Sequence, residues 1–278
     1  MTRRRLLLGS CLCVCLAAAT YVIAFKTANG RRFDAETYGA HSVPSSIESI
    51  RAAADSVVTT VGLGAALLLA GAVVVSAVVR RRGDLVLAVI FLFAAATVTT
   101  EALKPLLREW DVFGGDAARD AHGFFPSGHA TVAIASALAF VLAAPNAWKL
   151  FAASIGGLYA ALVGTALMVQ GSHYASDVVG GFLLTGAWCC LVAAVVRGRS
   201  TSLAPVPRRA VLASAGLAAV AALAAALAWA ISSGMLRHVE VPPRAVATLV
   251  IGALALVLTF GLAIGSRRRQ SDAVVDGS

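Results

Sequence analysis

The chain has 278 residues, of which 59% are hydrophobic and 13% charged, with a formal net charge of +9. Soluble domains run roughly 45–50% and 25%, so this composition excludes one and indicates an integral membrane protein. The positive charge gathers in short runs beside apolar stretches: Arg3–Arg5, Arg80–Arg82, Arg197 with Arg199, Arg208–Arg209 and Arg267–Arg269. That distribution suits topology anchors rather than a nucleic-acid surface.

In chain order, eight stretches are long enough to cross a bilayer, which takes about 20 apolar residues. The first is 6–25. Met1–Arg5 and the box Leu8-Gly9-Ser10-Cys11 suggest a cleavable signal, but only three apolar residues (Leu6, Leu7 and Leu8) precede Gly9, where a cleaved signal needs about 7–15. It is read as an uncleaved span. The outward loop 26–55 follows, with Gly30, Pro44 and paired serines, and is expected to be mostly irregular. Next come spans 57–79 and 85–102, the latter ending in the polar run Thr97, Thr99, Thr100, Glu101. After the loop 103–126 come spans 127–144, 150–169 and 178–196. A basic linker around 197–209 leads to two Ala- and Leu-rich spans, 210–232 and 246–264, read as lipid-facing scaffold or a dimer surface. A backbone in lipid must satisfy its own polar groups, so these stretches predict an all-α, polytopic membrane bundle of about eight transmembrane helices. The chain divides into a first helix with its loop (1–56), a five-helix core (57–196) and a C-terminal part (197–278).

With a cytoplasmic N-terminus, 14 of the 23 Lys and Arg fall at inward ends, as the excess of basic residues in cytoplasmic loops requires. Both termini are then inside. All five histidines (His41, His122, His129, His173, His238) fall on the outward side. The five cysteines (Cys11, Cys13, Cys15, Cys189, Cys190) lie inside spans, without metal-site spacing, and pack as small apolar residues.

One constellation carries chemistry. Pro126-Ser127-Gly128-His129 opens one span, and His173-x-x-x-Asp177 closes the next 44 residues later. Two helices of about 20 residues run roughly 30 Å across and 30 Å back, so both motifs return to one membrane face. Lys104 and Arg108 follow the preceding span on that same face. Serine is a favoured N-cap, and the free amides of a first turn attract an anion that a glycine lets approach closely. The tripeptide alone is also accounted for by a capped helix. His173 and Asp177, four apart, share a face if the turn is helical, and the carboxylate would then hold one imidazole nitrogen and leave the other as nucleophile. Alternatively, His173 is a loop histidine beside a helix-capping Ser176-Asp177 pair. Lys104 and Arg108 supply charge for a phosphate or snorkel to headgroups. Glu101 is a candidate partner for Lys104, and Pro105 argues against a shared helical face. A metal held by His129, His173 and Asp177 is the competing chemistry, although no H-E-x-x-H or paired Asp ligands accompany them.

In this order and spacing, Lys104/Arg108, Pro126–His129 and His173–Asp177 resemble the type 2 phosphatidic acid phosphatase superfamily. These are membrane-embedded lipid phosphate phosphatases related in fold to vanadium haloperoxidases. The resemblance covers about residues 57–196. It implies that His173 attacks phosphorus to form a phosphohistidine, that Asp177 orients it, and that His129 protonates the leaving group and then activates water. It implies that Lys104, Arg108, Ser127 and Gly128 hold the phosphoryl oxygens, with no metal or other cofactor. The partners implied are a lipid phosphate or prenyl pyrophosphate substrate and membrane lipids, at the outer face of the cell membrane.

Two departures are visible. The first motif is usually Lys, six residues, then Arg-Pro, whereas here Arg108 follows Lys104 after three residues and Glu109 stands in place of proline. The third usually carries Ser-Arg ahead of its histidine, where this chain has Ala166-Leu167. Losing one phosphate-gripping cation costs on the order of 2–4 kcal/mol of transition-state stabilisation, for which Arg119 is a candidate substitute. A phosphotransferase, a non-catalytic lipid-phosphate binder and a transporter are the alternatives. Transport is disfavoured because no span carries a mid-membrane ionisable residue.

Overall fold

A computed structural model describes residues 3–38, 48–59, 83–107, 125–145, 147–197 and 243–266. Eight helices account for almost all of them: α1 (Arg3–Lys26), α2 (Ala28–Thr37), α3 (Glu48–Thr59), α4 (Gly83–Leu106), α5 (Gly128–Ala143), α6 (Lys149–Gln170), α7 (Ala175–Arg197) and α8 (Pro243–Ser266). No strand occurs among the described residues. Five helices (α1, α4, α6, α7 and α8) are long and apolar enough to cross a bilayer. They match the expected spans 6–25, 85–102, 150–169, 178–196 and 246–264. Span 210–232 and nearly all of span 57–79 lie outside the described residues.

α5 sits at the centre. Its 16 residues make it about 24 Å long, short of the roughly 30 Å hydrocarbon layer. It is apolar on every side because its neighbours cover twelve of those residues. Alanines 130, 133, 137 and 139 let α4, α6, α7 and α8 come close, as small residues do between membrane helices. Ile134, Leu138, Leu167, Val178, Phe182 and Ile251 fill the space between them. The opposite faces of the outer helices are apolar and exposed: Leu8, Leu12 and Leu16 on α1, and Phe151, Ile155, Leu158 and Leu162 on α6. Stripes of that size belong against lipid.

The polar end of α4 is explained by packing. Thr100 and Thr131 share a hydroxyl hydrogen bond (3.0 Å), and Trp188 Nε1 donates to Thr99 Oγ1 (3.1 Å). These bonds tie α4 to α5 and α7 where lipid offers no partner.

Two expectations need correction. The loop 26–55 is not mostly irregular: Thr27 accepts from the Gly30 amide and starts α2, Arg32 pairs with Glu36 one turn on, and α3 begins at Glu48. Gly30 and the serines mislead because a capped polar helix resembles a loop in composition. The last helix is also not peripheral scaffold. α8 packs along α6 and against α5 and α7, placing Ile251 and Ala255 in the core.

Candidate active site

The chain from α6 to α7 reverses through a glycine. Gly171 has φ 77°, a left-handed conformation that costs a side-chain-bearing residue energy. Its amide donates to the Met168 carbonyl and the Ser172 amide to the Leu167 carbonyl, a Schellman ending. The His173 amide also donates to Leu167 O (3.3 Å), which folds the histidine back toward the bundle. His173 is only 6% exposed and Asp177 1%.

The turn between them is only partly helical, since α7 begins at Ala175, yet the two side chains meet. His173 Nδ1 lies 3.4 Å from Asp177 Oδ2, an ion pair when the imidazole is protonated. Catalytic hydrogen bonds in unliganded sites are often long and tighten on binding. The same Asp177 oxygen accepts the Tyr174 amide (3.0 Å), so Asp177 caps the helix and faces the imidazole at once. The two sequence readings of this residue are therefore compatible. Asp177 Oδ1 is buried and takes no hydrogen bond among the described residues.

Pro126–His129 is held against this unit. The Ser127 amide donates to the Asp177 carbonyl (2.9 Å), joining the two motifs through their backbones. Ser127 is the N-cap of α5 and accepts the Ala130 amide (3.2 Å). The Phe125–Pro126 bond is cis. Phe125 packs on Tyr21 and Phe25 at the end of α1, which closes that side of the turn. His129 projects from the first turn and is exposed, and its ring centre lies 6.1 Å from that of His173. A buried and an open imidazole thus face each other across a gap.

Gly181 decides how close α7 comes. A Cβ there would sit 2.8 Å from the Ser127 carbonyl, inside van der Waals contact with backbone. Gly181→Ala is expected to push α7 off the Ser127 turn and lower turnover about 10²-fold, as a displacement near 1 Å does. Circular dichroism of that variant should keep the wild-type helix content. Wild-type turnover in a folded Gly181→Ala protein would show that this approach is not needed.

Lys104 reaches the same place despite Pro105, which lies inside the final turn of α4. Its Nζ pairs with Glu101 Oε1 at 2.6 Å, as the spacing suggested. Both atoms lie beside Gly128, where an added Cβ would meet them at 3.4 and 3.2 Å. Lys104 is therefore at the α5 N-terminus, and Glu101 partly neutralises it. Arg108 and Arg119 lie outside the described residues, as do His41, His122 and His238. Ala166 and Leu167, where the resemblance leads one to expect Ser-Arg, are buried apolar positions. Among the described residues, no group of three His, Cys, Asp or Glu could hold a metal ion.

Two residues without a sequence signal complete the surroundings. Asp34 of α2, 4% exposed, accepts the Ser176 amide at Oδ1 (3.1 Å) and the Ser176 hydroxyl at Oδ2. Burial pushes its carboxyl up to about 7; the nearby Asp177 also raises it, and the hydrogen bonds from Ser176 work the other way. Tyr174 stacks on Tyr38 (centroids 4.7 Å), and burial raises its phenol above the ordinary range.

Residues 85–200, which include nearly all of α4 and all of α5 to α7, match the PAP2 superfamily. This segment is similar to the PAP2 superfamily. That similarity supports a phosphatase-type function, a phosphoric ester hydrolase in general terms. No curated protein and no solved structure matches the chain. In the matched segment the histidine pair, its carboxylate and Lys104 converge, while α1, α2, α3 and α8 are packed around it from outside.

Proposed function

We propose that the chain hydrolyses a lipid phosphate or isoprenyl pyrophosphate at the outer face of the membrane through a phosphohistidine, without a metal. The observation that carries this reading is the Ser127–Asp177 backbone bond, which sets His129 and His173 6.1 Å apart around one gap. With Nδ1 directed at Asp177, Nε2 of His173 is the nitrogen that attacks phosphorus. The P–N bond forms as the P–O bond to the lipid breaks, and His129 gives its proton to the departing oxygen. In the second step His129 takes a proton from water, the oxygen attacks phosphorus, the P–N bond breaks, and inorganic phosphate leaves. Lys104, Arg108 and the first-turn amides of α5 near Ser127 and Gly128 stabilise the phosphoryl oxygens, and their charge favours the more negative transition state. A lipid substrate suits a site at helix ends, where a headgroup enters while its tail stays in the bilayer.

Phosphate release from phosphatidate and from an isoprenyl pyrophosphate, measured with excess chelator in right-side-out and in inverted vesicles, tests the reading. Release is expected in chelator and, for substrate added outside, only from right-side-out vesicles. Loss in chelator would overturn metal independence, and turnover confined to inverted vesicles would reverse the sidedness. Binding without turnover would favour a lipid-phosphate binder.

A further inference from the structure

The first turn of α7 has a structural problem that its own sequence does not solve. Its N-cap position is occupied by Tyr174, whose side chain has no short-armed oxygen to accept the amides of the first turn. Asp177 takes the Tyr174 amide, but the Ser176 amide needs an acceptor from elsewhere. That acceptor comes from 142 residues away, in a helix outside the segment that matches the PAP2 superfamily: Asp34 of α2 holds both the amide and the hydroxyl of Ser176. Ser176 is the direct neighbour of Asp177, which faces His173 and whose carbonyl holds Ser127.

We propose that Asp34 is a positioning residue for the catalytic pair, fixing the start of α7 so that Asp177 meets both His173 and the Ser127 turn. This proposal rests on the reading of His173 as the nucleophile.

Three observations support it. Asp34 sits on α2, a helix whose other anchors are also at this level: Tyr38 stacks on Tyr174, and Arg244 of α8 donates to the Tyr38 carbonyl (3.3 Å). Asp34 and Ser176 lie on the wall of a mostly apolar cavity of about 420 Å³, with Ala24, Phe33, Val179 and Val250 around them. Water competes poorly there, so the bonds to Ser176 are stronger than on a wet surface. Finally, burial brings the Asp34 carboxyl to about 7, so near neutrality it accepts from Ser176 without setting a full second charge beside Asp177.

The test uses the full chain in lipid nanodiscs. Asp34→Ala is expected to lower kcat on phosphatidate roughly 10–100-fold, the scale of a 1 Å misplacement, with KM within about 3-fold since Asp34 touches no substrate. Asp34→Asn, which keeps an acceptor for the Ser176 amide, should restore kcat to within about 5-fold of wild type. A purely structural role would lower the folded yield but leave kcat per folded molecule unchanged, and that result in Asp34→Ala overturns the proposal. If Asp34→Ala does not fold, Asp34→Leu removes both acceptor oxygens while filling the apolar site, and should lower kcat with KM unchanged; wild-type kcat in it overturns the proposal. A second measurement does not depend on turnover: the rate at which diethyl pyrocarbonate modifies His173, followed by peptide mass spectrometry with His129 as internal reference. Asp34→Ala should change the His173 rate at least about 3-fold and leave His129 unchanged. If the wild type hydrolyses no lipid phosphate while this rate still shifts, the phosphatase reading fails and the Asp34 contact stands. If the wild type turns over and neither kcat nor the rate moves, the failure belongs to Asp34 alone.

Discussion

His173→Ala is expected to lower phosphate release from phosphatidate by at least about 10⁴-fold, because the step that removing a nucleophile deletes has no substitute in the site. The buried imidazole leaves a small polar gap, so the loss should come with intact helix content and a modest fall in Tm. The measurement is kcat in nanodiscs together with trapping of labelled enzyme under alkaline conditions, where a phosphohistidine survives. Labelling is expected in the wild type and absent in the variant. Turnover by His173→Ala near the wild-type rate would remove His173 from the nucleophile role, and labelling at another residue would relocate it.

The second large effect concerns His129 and depends on the leaving group. With an alkyl phosphate, the departing alkoxide needs a proton, and general acids contribute about 10²–10⁴-fold. His129→Ala should lose turnover on that scale with phosphatidate. p-Nitrophenyl phosphate releases a stable phenolate, so its first step should fall less than about 10-fold. The second step still needs a base for water. His129→Ala should therefore show a burst of nitrophenolate and accumulate phosphoenzyme. Equal losses on both substrates, with no burst, would mean that His129 is not the acid for the leaving group. The open position of His129 and the buried position of His173 are consistent with this division of labour.

The fold class was legible because a bilayer admits little else. Apolar runs of bilayer length can satisfy their backbone only as helices, and five of the expected spans appear as such with ends shifted by a few residues. The serine N-cap of α5 was equally readable, since capping is a local matter of one side chain and the next turn. The Lys104–Glu101 pair likewise follows from helical spacing. Helices α2 and α3 were missed because short helices of polar or mixed composition have no hydropathy signature. The role of α8 was missed because an apolar helix reads the same whether lipid or protein covers it, and here α5, α6 and α7 cover one side.

In the site, sequence spacing brought His129, His173, Asp177 and Lys104 to one end of the bundle, because two crossings of a bilayer return to the same face. Their relation there was decided by tertiary contacts. The Ser127 amide on the Asp177 carbonyl, Gly181 under the Ser127 turn and Asp34 on Ser176 are non-local, and no periodicity encodes them. By itself, then, the sequence determined a membrane helix bundle with a histidine pair at one face, since hydropathy and capping act within a few residues along the chain. Only the tertiary structure decided which histidine is buried, which is open, and that an acid from α2 holds the start of α7. Burial and hydrogen-bond satisfaction are properties of neighbours in space, and here some of those neighbours lie 142 residues apart.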